Sequence, residues 1–266
     1  AVVFASGYGE VGPEGRERQR ELVEAADRLG IAVMGPNCAG FANFVDGIFA
    51  FAFLVEERER GGNIGMISQS GQIVLGGLDS PNMGFSHVIS SGNSCNVKVE
   101  DYLDFLVDDE DTKVVAAYME GVTKPEKLVA AFQKAALKKK PVVVLKTGRS
   151  AKSQELAKSH TGSLSGADKV LRAVFKRYGV VEAGDLEELM SLAAAFSWLE
   201  ELPKGERCVF MNVSGGEAGV MADLSEEYGI QLAEMQQETK AYLKTLVPDY
   251  GSVNNPFDMT AGIGYK

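Results

Sequence analysis

Cysteine is scarce in this chain: Cys38, Cys95 and Cys208 are the only three in 266 residues, far apart, with no Cys-x-x-Cys pair and no Cys/His cluster. That excludes a disulfide scaffold and a structural zinc site, and no metal site is expected. A reducing, cytoplasmic setting follows. Histidine is scarcer still, with two, so any imidazole chemistry must run through His87 or His160. Basic charge is outnumbered, 27 Lys and Arg against 37 Asp and Glu, a net charge of −10. Such a surface repels phosphate backbones and anionic lipid, so neither nucleic acid nor a membrane is an expected partner. Any anionic ligand must be gripped locally, by backbone amides or a few placed cations. Long apolar runs are missing too; the longest, Gly47 to Val55, is far too short to cross a bilayer. No signal-peptide pattern opens the chain. Neither GxxxxGK[ST] nor GxGxxG occurs.

What is present is ordinary globular material. Apolar residues make up 45% and charged residues 24%, and the length suits one to three domains with a sizeable core. The rhythm is apolar strand, Gly-rich turn, amphipathic helix. Strands are expected at Ala1–Ala5, Ile31–Met34, Asn63–Ser68, Val88–Ser90, Lys113–Met119, Pro141–Lys146, Cys208–Val213 and Ile230–Ala233. Helices are expected at Glu14–Leu29, Gly71–Leu78, Val99–Val107, Pro125–Leu137, Asp185–Leu199, Glu217–Tyr228 and Glu238–Leu246. Another helix should run to Tyr178 behind a Ser165/Asp168 capping box. Thr147–Leu164 reads as a polar loop. Glu56–Gly62 and Leu202–Gly205 read as boundaries. This alternation implies an α/β fold with parallel sheets. The chain opens at Ala1 on a strand-like AVVFAS, as though part-way through a domain.

Ligands in open α/β sheets bind beyond the carboxyl ends of strands, where helix N-termini offer free N–H groups. Ser68-Gln69-Ser70-Gly71 falls at such a point, and so does Ser214-Gly215-Gly216. Either one alone is equally a plain tight turn. His87, at a strand start, reads as structural. His160 lies in a small, polar loop segment, Lys158-Ser159-His160-Thr161-Gly162; it is a candidate base or phosphoryl carrier, or simply a solvated side chain. Glu120 ends a strand, where a carboxylate can orient an imidazole or merely cap. Lys146 and Arg149 could hold an anion or be a solvated pair. Cys38, after Gly35-Pro36-Asn37, could be a packing residue, a nucleophile or a pocket wall.

In chain order the segments SGYGEVGPEG, GPNCAGFAN, GMISQSGQI, SSGNSCNV, YMEGV, VVVLKTGRS, SHTGSLSG, NVSGGEAGV and NNPFDMTAG resemble the NDP-forming acyl-CoA synthetases, the superfamily of succinyl-CoA synthetase and ADP-forming acetyl-CoA synthetase. Singly these are weak signals; nine in the family's order are strong. The resemblance implies a Rossmann-like remnant followed by flavodoxin-like domains. Residues 1–60 would be the C-terminal part of a CoA-binding domain, 61–202 a ligase domain with a phosphohistidine loop, and 203–266 the N-terminal part of a second ligase domain. It implies the reaction acid + CoA + NTP ⇌ acyl-CoA + NDP + phosphate. His160 would carry the phosphoryl group and Glu120 would orient it. Ser70, Gly71, Gly215 and Gly216 would hold phosphate from two helix N-termini, and Gly35, Pro36, Asn37 and Cys38 would line the CoA thiol end. A small carboxylic acid, CoA, phosphate and ATP or GTP with Mg would be the reactants, the nucleotide carried by an ATP-grasp domain or subunit. An oligomer is expected. Two departures stand out: Ala39 in GPNCAG, where proline or leucine is common, and Ser94-Cys95-Asn96, where a charged residue is common. An alternative is a CoA- or acyl-CoA-sensing module of a protein acetyltransferase. A third reading is a structural domain without chemistry.

Overall fold

The alternating pattern produces a mostly parallel sheet with helices on both faces. The computed structural model describes residues 1–54, 61–81, 83–148, 150, 152–153, 168–201 and 203–261. It divides into two units, Ala1–Glu200 and Glu201–Lys266.

The first unit opens with helix α1 (Pro13–Leu29). Pro13 suits its first turn, and Gly30 ends it at φ 65°, its N–H reaching the carbonyls of Ala26 and Asp27. The expected strands on either side of α1 meet only as a parallel bridge between Val2 and Met34. Two backbone bonds accompany it, Val3 N to Met34 O at 3.0 Å and Met34 N to Ala1 O at 2.9 Å. That is too little to form a ladder among the described residues.

Seven strands follow: β1 (Gly40–Asn43), β2 (Ile48–Phe51), β3 (Ile64–Ser68), β4 (Phe85–Ser90), β5 (Val114–Met119), β6 (Val142–Lys146) and β7 (Val181–Ala183). Their order is β2-β1-β4-β3-β5-β6-β7. From β4 to β7 every neighbouring pair is parallel, while β1 runs antiparallel to both β2 and β4. The β1–β2 hairpin is new relative to the expected elements. Its turn signal was present: Asn43 Oδ1 accepts from Asp46 N at 2.9 Å, and Gly47 has φ 69°. Aspartate–glycine between apolar runs suits a hairpin.

Every residue of β3, β4, β5 and β6 is buried, as expected of parallel strands covered on both faces. Alternate residues feed two cores. On one face Ile67, Val115, Ala117, Val142 and Val144 pack with Leu103 and Leu106 of α3 (Val99–Asp108), Leu128 and Phe132 of α4 (Pro125–Lys138) and Phe175 of α5 (Asp168–Tyr178). On the other, Met66, Val114, Ala116, Val143 and Leu145 pack with Val74 and Leu78 of α2 (Gly71–Leu78) and Leu189 and Met190 of α6 (Leu186–Trp198). Asp185 caps α6, accepting from Glu188 N at 2.8 Å. The Ser165 half of the expected cap on α5, and the candidate linker over 56–60, lie outside the described residues.

In the second unit, β8 (Arg207–Cys208) pairs in parallel with β10 (Gln231–Leu232), and β9 (Met211–Asn212) with β11 (Phe257–Asp258). The single strand expected at Cys208–Val213 is thus split, because its two halves have different partners. Helices α7 (Gly215–Glu227) and α8 (Gln237–Leu246) complete the unit.

Leu103 is fully buried between α3 and the sheet. Leu103→Ala is expected to lower stability by about 2–5 kcal/mol, read as a shift in the denaturant midpoint of unfolding.

Candidate functional site at the carboxyl edge of the sheet

Because β3, β4, β5 and β6 are parallel, Ser68, Ser90, Met119 and Lys146 end on one edge. In antiparallel β1, Gly40 pairs with Ser90, so Cys38 and Ala39 arrive at that same edge. Five sequence motifs therefore converge there. Bonds between neighbouring chain segments link them: Ser91 N to Ser68 O at 2.8 Å, Gln69 N to Tyr118 O at 3.3 Å and Thr147 N to Met119 O at 3.1 Å. Ser90 Oγ accepts from Ala39 N at 3.1 Å.

The Gly35-Pro36-Asn37-Cys38 turn has a cis Gly35–Pro36 bond and a left-handed Asn37 at φ 54°. The Ser91–Cys95 loop lies against it, with Asn93 N on Pro36 O at 2.9 Å and Cys95 N on Gly35 O at 3.0 Å. Gly92 is obligatory here: a Cβ would stand 2.4 Å from the carbonyl oxygens of both Pro36 and Asn37. Asn93 is the hub of this region. Its Oδ1 accepts from Asn37 Nδ2 at 3.3 Å, and its Nδ2 donates to Glu10 Oε2 at 2.6 Å and Gln19 Oε1 at 3.0 Å. The other oxygen of Glu10 accepts from the amides of Gly7 and Tyr8. Burial pushes the Glu10 carboxyl up, but the bonds from Asn93 and these amides outweigh it and hold the carboxyl below its usual 4.5. Asn93 and Glu10 were not among the sequence candidates, although both sit in the motifs SSGNSCNV and SGYGEVGPEG.

Cys38 is buried, and its Sγ donates to Val3 O at 3.4 Å. Burial pushes its thiol up, so it stays a neutral packing group of the turn and is not a poised nucleophile.

At the Ser68-Gln69-Ser70-Gly71 turn, Ser68 Oγ accepts from Ser70 N at 3.0 Å and donates to Ser70 O at 2.7 Å. Ser70 occupies the N-cap position of α2, yet its side chain makes no capping bond. The first helical amides, starting at Gly71, therefore have neither an intrahelical acceptor nor this serine. A Cβ on Gly71 would meet Ala39 Cβ at 3.6 Å and Ser90 Oγ at 3.8 Å, so the unusual alanine borders the helix start.

Glu120 follows β5 directly. Its N–H donates to Gln69 Oε1 at 2.6 Å, and the Gly121 N–H reaches the same oxygen at 3.1 Å. Its carbonyl accepts from Lys146 Nζ at 2.8 Å. Its carboxylate accepts from Tyr118 Oη at 3.5 Å, and that hydroxyl lies 3.3 Å from Thr147 Oγ1. Burial pushes the Tyr118 phenol up, keeping it a donor. Lys146, a sequence candidate for holding an anion, is 7% exposed and turns its ammonium to the carbonyls of Glu120 and Thr147. The fully buried Glu100 holds the next turn, accepting from Thr123 N at 2.7 Å and Lys124 N at 2.9 Å. His160 and Arg149 lie outside the described residues. His87 stands inside β4, buried, with Nδ1 3.4 Å from Asp109 Oδ2 and its ring edge-on to Phe105, a structural role.

In the second unit, Gly215 and Gly216 open α7, which Ser214 caps by accepting from Glu217 N at 3.2 Å. A Cβ on Gly215 would meet Asp258 Oδ2 at 3.1 Å, so a carboxylate stands beside this positive helix end. Among the described residues, no group of three or more His, Cys, Asp or Glu could hold a metal ion, and no helix is long and apolar enough to cross a membrane.

Residues 61–196 match the model of the succinyl-CoA ligase-like flavodoxin domain. The chain belongs to that family. This succinyl-CoA ligase-like chain is 36% identical, over 98% of its length, to the alpha subunit of acetate–CoA ligase (ADP-forming) II of Pyrococcus furiosus, covering 56% of that protein. It is 34% identical, over 98% of its length, to a trans-feruloyl-CoA synthase from an unknown prokaryotic organism, covering 38% of it. A solved structure of dinucleotide-forming acetyl-coenzyme A synthetase 1 from Ca. Korarchaeum cryptofilum, in complex with phosphate and ADP, superposes with a TM-score of 0.80 at 31% identity, over 98% of this chain and 56% of that one. The chain thus spans about half the length of such relatives, or less.

Two outcomes follow from the site's chemistry. Alkylation under native conditions should modify the exposed Cys208 rapidly and the buried Cys38 and Cys95 slowly, as peptide mass mapping would report. Glu10, with a lowered folded pKa, contributes stability that is complete above its unfolded value and is lost as pH falls through the folded value. The stability gap between the native protein and Glu10→Gln should therefore be widest near neutrality and close in acid, as measured by denaturant unfolding at several pH values.

Proposed function

We propose that the chain belongs to an ADP-forming acid–CoA ligase and carries its phosphoryl-transfer step on His160. The observation that supports this most is the convergence of Glu120, the uncapped start of α2 and the Gly35–Cys38 turn on one sheet edge, in a chain whose relatives are ADP-forming ligases. In this reading residues 1–60, 61–202 and 203–266 are parts of a CoA-binding domain and two ligase domains. The nucleotide, ATP with Mg for an ADP-forming enzyme, is presented by an ATP-grasp domain or subunit.

The steps balance as follows. A ring nitrogen of neutral His160 attacks the terminal phosphorus, and NDP leaves with the electron pair of the broken P–O bond. The Glu120 carboxylate orients the imidazole through its other ring nitrogen and offsets the positive charge that develops. Amides at Gly71 and its neighbours receive the phosphoryl oxygens, with Ser70 shaping the turn. The resemblance also assigns phosphate to Gly215 and Gly216, at a helix start that differs in being capped by Ser214 and bordered by Asp258. A carboxylate oxygen of the acid then takes the phosphoryl group, freeing His160. The CoA sulfur attacks the acyl carbon, phosphate leaves, and the thiol proton is released. Gly35, Pro36, Asn37 and Cys38 border the thiol end of CoA. The acid is a small carboxylic acid; relatives named for acetate and for feruloyl-CoA leave its identity open.

The test is intact mass after incubation of the full-length protein with MgATP. One phosphoryl group, stable at neutral pH and lost in mild acid, is expected. It should be absent in His160→Ala and formed about 100-fold more slowly in Glu120→Gln. A labile phosphoryl group that persists in His160→Ala would overturn the assignment.

A further inference from the structure

We infer that Gln69 is a positioning residue for the proposed phosphoryl transfer: it ties the backbone that carries the Glu120 carboxylate to the phosphate turn. The inference rests on the phosphohistidine reading above.

The physical basis is a gap in the ladder. Strand β3 pairs with β5 as far as Ser68 opposite Tyr118. One step later β3 turns into α2, and its backbone no longer offers acceptors to the chain leaving β5. The amides of Glu120 and Gly121 would then face the edge without partners, and an unpaired buried amide is costly. Gln69 Oε1 takes both, at 2.6 and 3.1 Å. An amide oxygen has two lone pairs and suits two donors. Leucine or methionine would fill the space and accept neither. Glutamate would accept both, but would set a negative charge beside a helix start meant for phosphate. Glutamine is the side chain that accepts twice and stays neutral.

The restraint on Glu120 is two-sided. Its carbonyl is held by Lys146 Nζ at 2.8 Å, from the end of β6. Gln69 itself is fixed by its own N–H on Tyr118 O at 3.3 Å. It lies between Ser68 and Ser70, whose hydroxyl–backbone bonds shape the turn. A shift of the turn therefore moves Glu120 with it, and the imidazole that Glu120 orients stays aligned with the phosphoryl group.

Gln69→Met, made in the full-length protein, tests this. His160 phosphorylation from MgATP should slow by up to about 100-fold, with the KM for CoA unchanged. The double variant Gln69→Met/Glu120→Gln should be no slower than Glu120→Gln alone, because Gln69 acts through Glu120. A carboxylate partner favours the imidazolium. The acidic limb of the rate–pH profile should therefore move to lower pH in Gln69→Met, in the same direction as in Glu120→Gln. A normal rate, an unmoved limb or a fully additive double variant, with His160→Ala unlabelled, would make Gln69 a purely structural residue and leave the phosphohistidine reading standing. A labelled His160→Ala would overturn both. Should Gln69→Met not fold, hydrogen exchange in the unaltered protein decides. Slow exchange at the Glu120 and Gly121 amides is expected, and exchange at the rate of open amides would overturn the inference.

Discussion

Parallel strands that stop together leave a row of backbone donors and acceptors at their carboxyl ends, and each must find a partner. How this chain satisfies that row shapes the rest of the first unit. Ser68 O takes Ser91 N, Tyr118 O takes Gln69 N, and Met119 O takes Thr147 N. Side chains complete the row where backbone cannot: Gln69 for the amides of Glu120 and Gly121, Lys146 for the Glu120 carbonyl, Ser90 for Ala39 N. The loops that leave the strands are therefore laced to one another, and residues far apart in sequence share one edge.

The electrostatics follow from the same lacing. An acidic chain needs some way to hold an anion, and a lysine at a strand end is the obvious candidate. Lys146 instead turns to carbonyls. Among the described residues, the start of α2, which has no side-chain cap, offers neutral amides at this edge, where the helix dipole adds partial positive charge. Such donors do not change protonation over the working pH range and need no reorganisation, which suits transient stabilisation of a phosphoryl group. The Gly35–Cys38 turn is fixed by the same means, through Gly92 and the Asn93 hub.

Much of the fold was legible because it is local. The cap at Gly30, proline at the start of α4, the buried runs of β3, β5 and β6, and the short apolar α2 are written in adjacent residues. The motifs that meet at the edge were legible one by one. Their mutual contacts were not: Gln69 and Glu120 are 51 positions apart and Asn93 and Glu10 are 83, and no spacing rule reaches that far. The β1–β2 hairpin was hidden because its strands do not alternate cleanly between apolar and polar, although Asp46-Gly47 marked the turn. The split of β8 from β9 depends on partners supplied later in the chain. His87 was legible as structural from its place at a strand start, whereas the redirection of Lys146 needed the carbonyls of Glu120 and Thr147 in view.

In the proposed reaction the phosphoryl group resides at this laced edge. The most direct measurement is a crystal structure of the full-length protein after reaction with MgATP, solved well enough to place phosphorus. Phosphorus is expected bonded to His160, with its oxygens within hydrogen-bond distance of the Gly71 amide at the start of α2. A phosphoryl group bonded to another residue, or one on His160 lying away from this edge, would contradict this placement.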